Sequence, residues 1–278
     1  MPRSIVLPTH GKHPNASYAR IFDYAAQPKV TRTHCPVCEA PVERVMHGLQ
    51  DRFGFRISVV TCESCGHAFL LENLTREGYA QFYGGEASPY RRLVWCQRHL
   101  PGVPYDMRAD AARLIKVQRQ YADKLLSWEP LCQALASMTT VLDAGGSTGT
   151  VAQMLAPRAA LTVLDPSPSE LNARPAGIAA IHGFLEDPIP TRQIFDGILF
   201  CETVDHLVDP VAALRNVYNV SVPGGVMYID YVVKTGFKVD HPSYFDERSF
   251  RTLLMKTGWK LDDRNGGEKH VGYLCHRP

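Results

Sequence analysis

From Thr139 to the end of the chain, short apolar runs alternate with amphipathic stretches, and this alternation limits the fold more than any other feature. Thr140–Asp143 and Leu161–Asp165 are apolar runs that each end in an acid. Ala179–His182, Asp196–Phe200 and Gly225–Asp230 are three more, and Trp259–Leu261 and Val271–His276 read as closing strands. Between them, Thr150–Leu155 reads as helix. Val211, Leu214 and Tyr218 share one face of a second helix, and Phe250, Leu253 and Leu254 form the stripe of a third that starts near Asp246. Gly258 stands where a helix ends in a left-handed cap. Strands alternating with helices predict an α/β fold with a mostly parallel sheet covered on both faces.

The segment Asp143-Ala144-Gly145-Gly146-Ser147-Thr148-Gly149 follows the first strand and opens a helix. Glycine is required where backbone approaches a ligand closely or takes a positive φ. Asp165 ends the next strand, where a carboxylate is placed to accept both hydroxyls of a ribose. These residues predict a nucleotide-like ligand at the carboxyl edge of the sheet. The plainer alternative is that both acids only cap strand ends.

Four of the eight cysteines fall in two CxxC pairs, Cys35/Cys38 and Cys62/Cys65. Two such knuckles suit one tetrahedral Zn²⁺ held by four thiolates, with Pro36 and Gly66 in the turns. Four sulfurs leave no position for water, so the ion is expected to be structural. Roughly 40 residues cannot build a core alone, and the metal would supply the folding free energy. Phe53–Val60 alternates loosely and reads as a hairpin. The alternatives are chance spacing or a redox pair. Cys96, Cys132, Cys201 and Cys275 are scattered and read as core thiols.

The chain divides into an N-terminal arm over 1–30, a zinc ribbon over 31–72, a connector or lid over 73–109, and a ligand-binding domain over 110–278. The last opens with a helix from about Ala109 to Trp128, in which Leu114, Val117, Tyr121 and Leu125 share a face. In the connector, Tyr83, Tyr90, Arg91 and Arg92 are candidates for a lid over an anionic group. Formal charge is +2, from 30 Lys+Arg against 28 Asp+Glu, too mild to mark a nucleic-acid binder. Residues 1–100 are more basic, but a tetrathiolate zinc site offsets half of that excess. No apolar run reaches the ~18 residues of a membrane span. Met1–Pro8 lacks a secretory apolar core, so a cytoplasmic protein is expected. Three Asn-x-Ser/Thr matches, beginning at Asn15, Asn73 and Asn219, are then chance.

The glycine loop resembles motif I of class I S-adenosylmethionine-dependent methyltransferases at Asp143, Gly145 and Gly149, with Ser147 in place of the middle glycine. Phe195–Phe200 and the following Glu202–Pro210 resemble that family's fourth strand and its trailing Glu-His-Leu-x-Asp-Pro segment, with Asp205 in place of Glu. Val222-Pro223-Gly224-Gly225 resembles its Lys-Pro-Gly-Gly turn. His241 and Phe245–Gly258 resemble its closing histidine and leucine-rich helix. Together with the cysteine ribbon, the pattern resembles the sugar C-methyltransferases of deoxysugar pathways. Those proteins carry a further C-terminal domain that this chain, ending at Pro278, is expected to lack.

The resemblance implies a Rossmann-like, seven-stranded, mostly parallel sheet with S-adenosylmethionine across its first, second and fourth strands. It implies that Asp143, Gly145, Gly146, Ser147 and Gly149 face the methionine part and that Asp165 holds the ribose. Phe184 and Leu185 would flank the adenine. Relatives carry an Asp where Phe184 stands, so stacking, Glu186 or Asp187 would replace it. Backbone at Cys201, Glu202 and Thr203 would approach the amino group. Methyl transfer is an in-line displacement that depends on alignment. His206 is the first candidate base, with Asp205 orienting it, and His241 is the second. The expected acceptor is a small molecule, of the sugar-nucleotide or biosynthetic-intermediate kind. Alternatives are an RNA or protein methyltransferase that docks through the ribbon, and a scaffold without catalysis. A NAD-dependent reductase is disfavoured by the strand-four and Pro-Gly-Gly matches. Neither a nucleic acid nor a membrane is an expected partner.

Overall fold

Large aromatic side chains near the N-terminus are buried together, and they decide how the first hundred residues fold. The structure is a computed structural model and describes residues 18–85, 87–100, 103–233, 236–267 and 270–278. Residues 1–17 of the expected arm, with the Asn15 match, lie outside them. The rest of the arm is not a loose lead-in. Helix α1 (Tyr18–Ile21) and the turn after it bury Tyr18, Phe22 and Tyr24 against Phe53, Phe55 and Phe82. Removing that much ring surface from water outweighs the local turn preferences of the segment.

The cysteine module is built from five short strands: β1 (Lys29–Thr31), β2 (Val45–Gln50), β3 (Arg56–Thr61), β4 (Ala68–Leu70) and β5 (Glu72–Leu74). β2 and β3 form an antiparallel hairpin that turns through Asp51–Phe55, so the hairpin starts earlier than the Phe53–Val60 expectation. β1 pairs with β5, which carries the module past both expected borders. Helices α2 (Arg76–Tyr83) and α3 (Pro89–Arg98) make up the connector, capped by the hydroxyls of Thr75 and Ser88.

Helices α4 (Met107–Leu125) and α5 (Glu129–Ala136) lead into β6 (Thr140–Ala144), α6 (Thr150–Leu155), β7 (Ala160–Asp165), α7 (Pro168–Asn172) and β8 (Ala179–His182). There follow β9 (Phe195–Phe200), a 3₁₀ turn at Val204–His206, α8 (Pro210–Asn219), β10 (Ser221–Val232), β11 (Ser243–Tyr244), α9 (Glu247–Thr257), β12 (Lys260–Gly266) and β13 (His270–His276). Seven of these strands form one sheet in the order β12-β13-β10-β9-β6-β7-β8. The run β10-β9-β6-β7-β8 is parallel throughout, and β13 alone runs antiparallel to its neighbours. The expected seven-stranded, mostly parallel, Rossmann-like sheet is therefore present. Val141, Leu142, Ile198 and Leu199 are buried, as central strands covered on both faces must be.

Strand order reverses at β6, with β7 on one side and β9 on the other. Such a reversal opens a crevice beyond the carboxyl ends of these strands. α9 is fixed by an Asp246–Ser249 capping box and ends at Gly258, whose φ of 84° is the left-handed cap the sequence predicts.

The cysteine module does not stand apart. β11, from the C-terminal part, pairs with β4 through Ser243↔Phe69 and Tyr244↔Ala68 and completes the order β11-β4-β3-β2. Cys35, Val37, Cys62, Cys65 and Phe69 lie in the same apolar core as Phe200, Phe250 and Tyr273. Among the described residues, no helix is long and apolar enough to cross a membrane.

Candidate active site

The crevice beyond β6 is a cavity of about 260 Å³. Its floor is the glycine loop. Gly145 (φ 71°), Ser147 (φ 56°) and Gly149 (φ 73°) all take left-handed backbone, which turns the chain sharply from β6 into α6. Ser147 is the unexpected member, since a residue with a Cβ adopts this conformation at a cost of about 1–2 kcal/mol. Its backbone N–H donates to Asp165 Oδ2 at 2.9 Å, which offsets that cost. A side chain at Gly146 would overlap the Asp143 carboxyl group, and one at Gly145 would overlap Thr203.

Asp143 is 1% exposed, and neither carboxylate oxygen has a hydrogen-bond partner among the described residues. Burial pushes its carboxyl up to about 7. Asp165 stands one strand over, accepting from Ser147 N and, at 2.8 Å, from Ser167 N. Burial first, and then the charge of Glu170, pushes it up to about 8. Of these two buried acids lining one cavity, Asp143 finds no partner among the described residues and Asp165 accepts one bond at each oxygen. That fits a ligand bearing an ammonium group and vicinal hydroxyls.

The cavity is also lined by Phe184, Leu185, Cys201 and Glu202. Arg76 stacks over the Phe184 ring at 4.4 Å and pairs with Glu186 and Asp187. Glu186 also accepts from Val208 N. Those two carboxylates are thus already engaged, and Phe184 is left as a stacking face. Glu202 takes a left-handed φ of 51°, and its N–H donates to Asp230 Oδ1 at 2.7 Å. Asp230 is buried and also accepts from Tyr228 and from Tyr121 of α4. The sequence reading passed over Asp230, although it is the third apolar run to end in an acid.

The opposite wall is made by Tyr79 and Tyr83 of α2, Tyr90 and Arg91 of α3, and His206. Tyr83 and Tyr90, two of the four lid candidates, line this wall. Arg91 is different: its guanidinium is held by Asp110 at 2.7 Å and Glu170 at 3.6 Å, so its charge is already balanced. Arg92 is exposed.

The three candidate acid–base residues come together, but not as paired in the sequence reading. His206 and His241 pack with ring centroids 4.2 Å apart. The Asp205 carboxylate accepts from Val232 N and lies 3.8 Å from His241, so its histidine neighbour is His241 and not His206. Adjacent side chains on a 3₁₀ turn point away from each other, which is why sequence adjacency misleads here. His206 Nδ1 instead lies 3.4 Å from the Tyr83 hydroxyl. Burial pushes His206 down to about 4 and holds His241 well below the usual histidine range. Burial also pushes Asp205 up to about 8.

At the four-cysteine cluster all sulfur atoms lie within 4.8 Å of one another. The Cys35–Cys65 separation is 3.7 Å and the Cys38–Cys62 separation 3.4 Å. A disulfide would require about 2.05 Å. A tetrahedral tetrathiolate zinc site, with bonds near 2.3 Å, has sulfur–sulfur edges of about 3.8 Å. The donor set fits such an ion.

A family model described as a methyltransferase domain matches residues 113–263. No curated protein matches the sequence. Among solved structures, an O-methyltransferase family protein from Burkholderia thailandensis superposes with a TM-score of 0.50 at 12% identity, covering 61% of this chain and 59% of that one. A SAM-dependent methyltransferase from Thermotoga maritima gives 0.49 at 20% identity, covering 61% and 95%. The N-methyltransferase NodS from Bradyrhizobium japonicum WM9, in complex with S-adenosylhomocysteine, gives 0.44 at 19% identity, covering 58% and 87%.

Because Asp143 binds its proton more tightly when folded than when unfolded, it favours the fold at low pH. That contribution is lost as pH rises from about 4 to about 7 and is level beyond. His206 and His241, whose proton affinity burial lowers, act with the opposite sign in the same window. The expected result is therefore a difference: relative to Asp143→Asn, the ligand-free parent loses melting temperature between about pH 4 and pH 7, and scanning calorimetry of both proteins checks it.

Proposed function

The chain belongs to the methyltransferase domain family and is an S-adenosylmethionine-dependent methyltransferase; from that premise we propose that it methylates a small-molecule acceptor, with a buried histidine as base. Bound S-adenosylmethionine supplies an electrophilic methyl group on a sulfonium sulfur. Asp143 would hold the ammonium end of this donor, and the Gly145–Ser147 backbone would accommodate its methionine part. Asp165 would accept from the ribose hydroxyls, and Phe184 and Leu185 would flank the adenine. Alignment is the main requirement of an in-line displacement, and a stiff left-handed loop between two buried acids suits it.

One observation carries the choice of acceptor. Tyr79, Tyr83 and Tyr90, from α2 and α3, line the same cavity as His206 and the glycine loop. A concave cavity with an aromatic wall suits a small hydroxyl-bearing molecule, such as a sugar nucleotide or a biosynthetic intermediate, better than a polymer. His206 takes the acceptor's proton at its ring, with Tyr83 at Nδ1 and His241 behind it. Both rings are neutral before the reaction, as a proton acceptor must be. The mild charge of the chain gives no support to a nucleic-acid acceptor.

We further propose that Cys35, Cys38, Cys62 and Cys65 hold one structural Zn²⁺. The ion would tie the Cys35–Cys38 turn to the strands on either side of Cys62–Cys65. Three of the four residues are buried, which leaves no approach for substrate.

Titration calorimetry with S-adenosylhomocysteine is expected to give saturable heat with the parent protein. Asp165→Ala should weaken binding about tenfold, since it removes two hydrogen bonds to the ribose of about 0.5–1.5 kcal/mol each. Identical heats for the two proteins would sink the site assignment. Metal analysis of purified protein is expected to return one zinc per chain, lost in Cys62→Ser with a lower melting temperature. Once an acceptor is in hand, His206→Ala should lower turnover by about 10²-fold or more while S-adenosylhomocysteine still binds.

A further inference from the structure

The loop after β10 carries a buried ion pair to which the methyl-transfer reading gives no part. Asp240 is 0% exposed, and its Oδ2 accepts from Arg52 Nη2 at 2.6 Å. Arg52 stands on the Asp51–Phe55 turn of the cysteine module, far from Asp240 in sequence. The same Asp240 Oδ2 lies 3.5 Å from His241 Nε2, and His241 packs against His206.

The turn that carries Arg52 is itself pinned. Asp51 Oδ1 accepts from Phe53 N and Phe55 N, which closes the turn, and Asp51 Oδ2 accepts from Val239 N, the residue before Asp240. Gln97 of α3 donates to the Arg52 carbonyl at 2.8 Å, and the guanidinium lies over the Phe53 ring. Tyr83 of α2 stands 3.4 Å from both His206 Nδ1 and the Asp240 carbonyl. Three separate elements therefore hold Arg52, Asp240 and the two histidines in one arrangement.

A fully buried carboxylate must be balanced. Two cationic partners are within reach of Asp240. One is His241, which would have to take up a proton. The other is Arg52, whose guanidinium is charged at every relevant pH. We infer that Arg52 is a positioning residue of the methyl-transfer site: by pairing with Asp240 it fixes that carboxylate against His241 and balances its charge, so that the histidine pair stays unprotonated. The cysteine module thereby completes the acid–base site it is packed against. This inference rests on the proposed use of the histidine pair as proton acceptor.

Other groups around the pair do not supply this balance. Asp205 faces His241 from the 3₁₀ turn, but burial favours its protonated form. Lys238 on the same loop adds positive charge, and burial pulls its proton affinity down. Tyr83 and Tyr90, on α2 and α3, stay neutral because burial pushes both hydroxyls up.

The test is a pH titration of the histidine ring carbons in the zinc-loaded 278-residue protein labelled with ¹³C-histidine, with His206→Asn and His241→Asn used for assignment. The parent resonances are expected to titrate well below the ordinary range. In Arg52→Gln, which leaves Asp240 without its cation, the His241 titration should rise by about one unit or more. Arg52→Lys should stay near the parent. In the double variant Arg52→Gln/Asp240→Asn the rise should disappear, because the carboxylate that drives it is gone. A folded Arg52→Gln protein with parent-like titrations overturns the inference, and so does a rise that persists beside Asp240→Asn. Should Arg52→Gln not fold, Asp240→Asn alone decides: the titration is expected to stay low, and a rise overturns the inference. Failure of the parent to bind S-adenosylhomocysteine would defeat the methyl-transfer reading instead and is read in a separate experiment.

Discussion

The site depends on a conflict at the end of β6: a buried carboxylate and a left-handed turn must occupy the same few ångströms. Asp143 closes the strand, Gly146 leaves room for its carboxyl group, and Gly145 and Gly149 supply backbone that other residues adopt at a cost. Once the chain has turned there, β7 falls on one side and β9 on the other. The site residues that the sheet carries are then placed by strand order. Asp165 ends β7, Cys201 and Glu202 follow β9, and Asp230 stands near the end of β10. The cavity is the space these strand ends enclose.

The second half of the site comes from outside the sheet. α2 and α3 bring tyrosines over the crevice, and the hairpin turn of the cysteine module brings Arg52 to Asp240. The fused architecture explains the shared core: Cys35, Cys62 and Cys65 pack with the residues under α9, so the module is a wall of the enzyme and not a tethered finger. The expected border at residue 72 fails for the same reason. β5 runs past it and β1 begins before the other expected border at residue 31, and β11 finishes the module's sheet from a distant part of the chain.

Much of the catalytic half was legible because its signals are local. A strand, an acid, glycines and a helix follow one another at Thr140–Leu155, and each constrains the next. Gly258 announces the end of α9 in the same way. What escaped reading depends on contacts distant in sequence. Arg52 and Asp240 are unremarkable until the fold puts them 2.6 Å apart. Asp205 precedes His206, yet it faces His241, because only the backbone geometry of the turn shows which way each side chain points. The aromatic residues of 18–24 carry no periodicity, and their burial became visible only against Phe53, Phe55 and Phe82. Arg91 reads as a free cation in sequence and is balanced by Asp110 in space.

The pairing of β11 with β4 has a kinetic side. It joins two short stretches that ribosomal synthesis separates by most of the polypeptide. Closing so large a loop costs chain entropy before the contact returns any stability. The module's outer edge therefore stays unsatisfied until nearly the whole chain has emerged. In that interval β4 offers bare N–H and C=O groups to other chains.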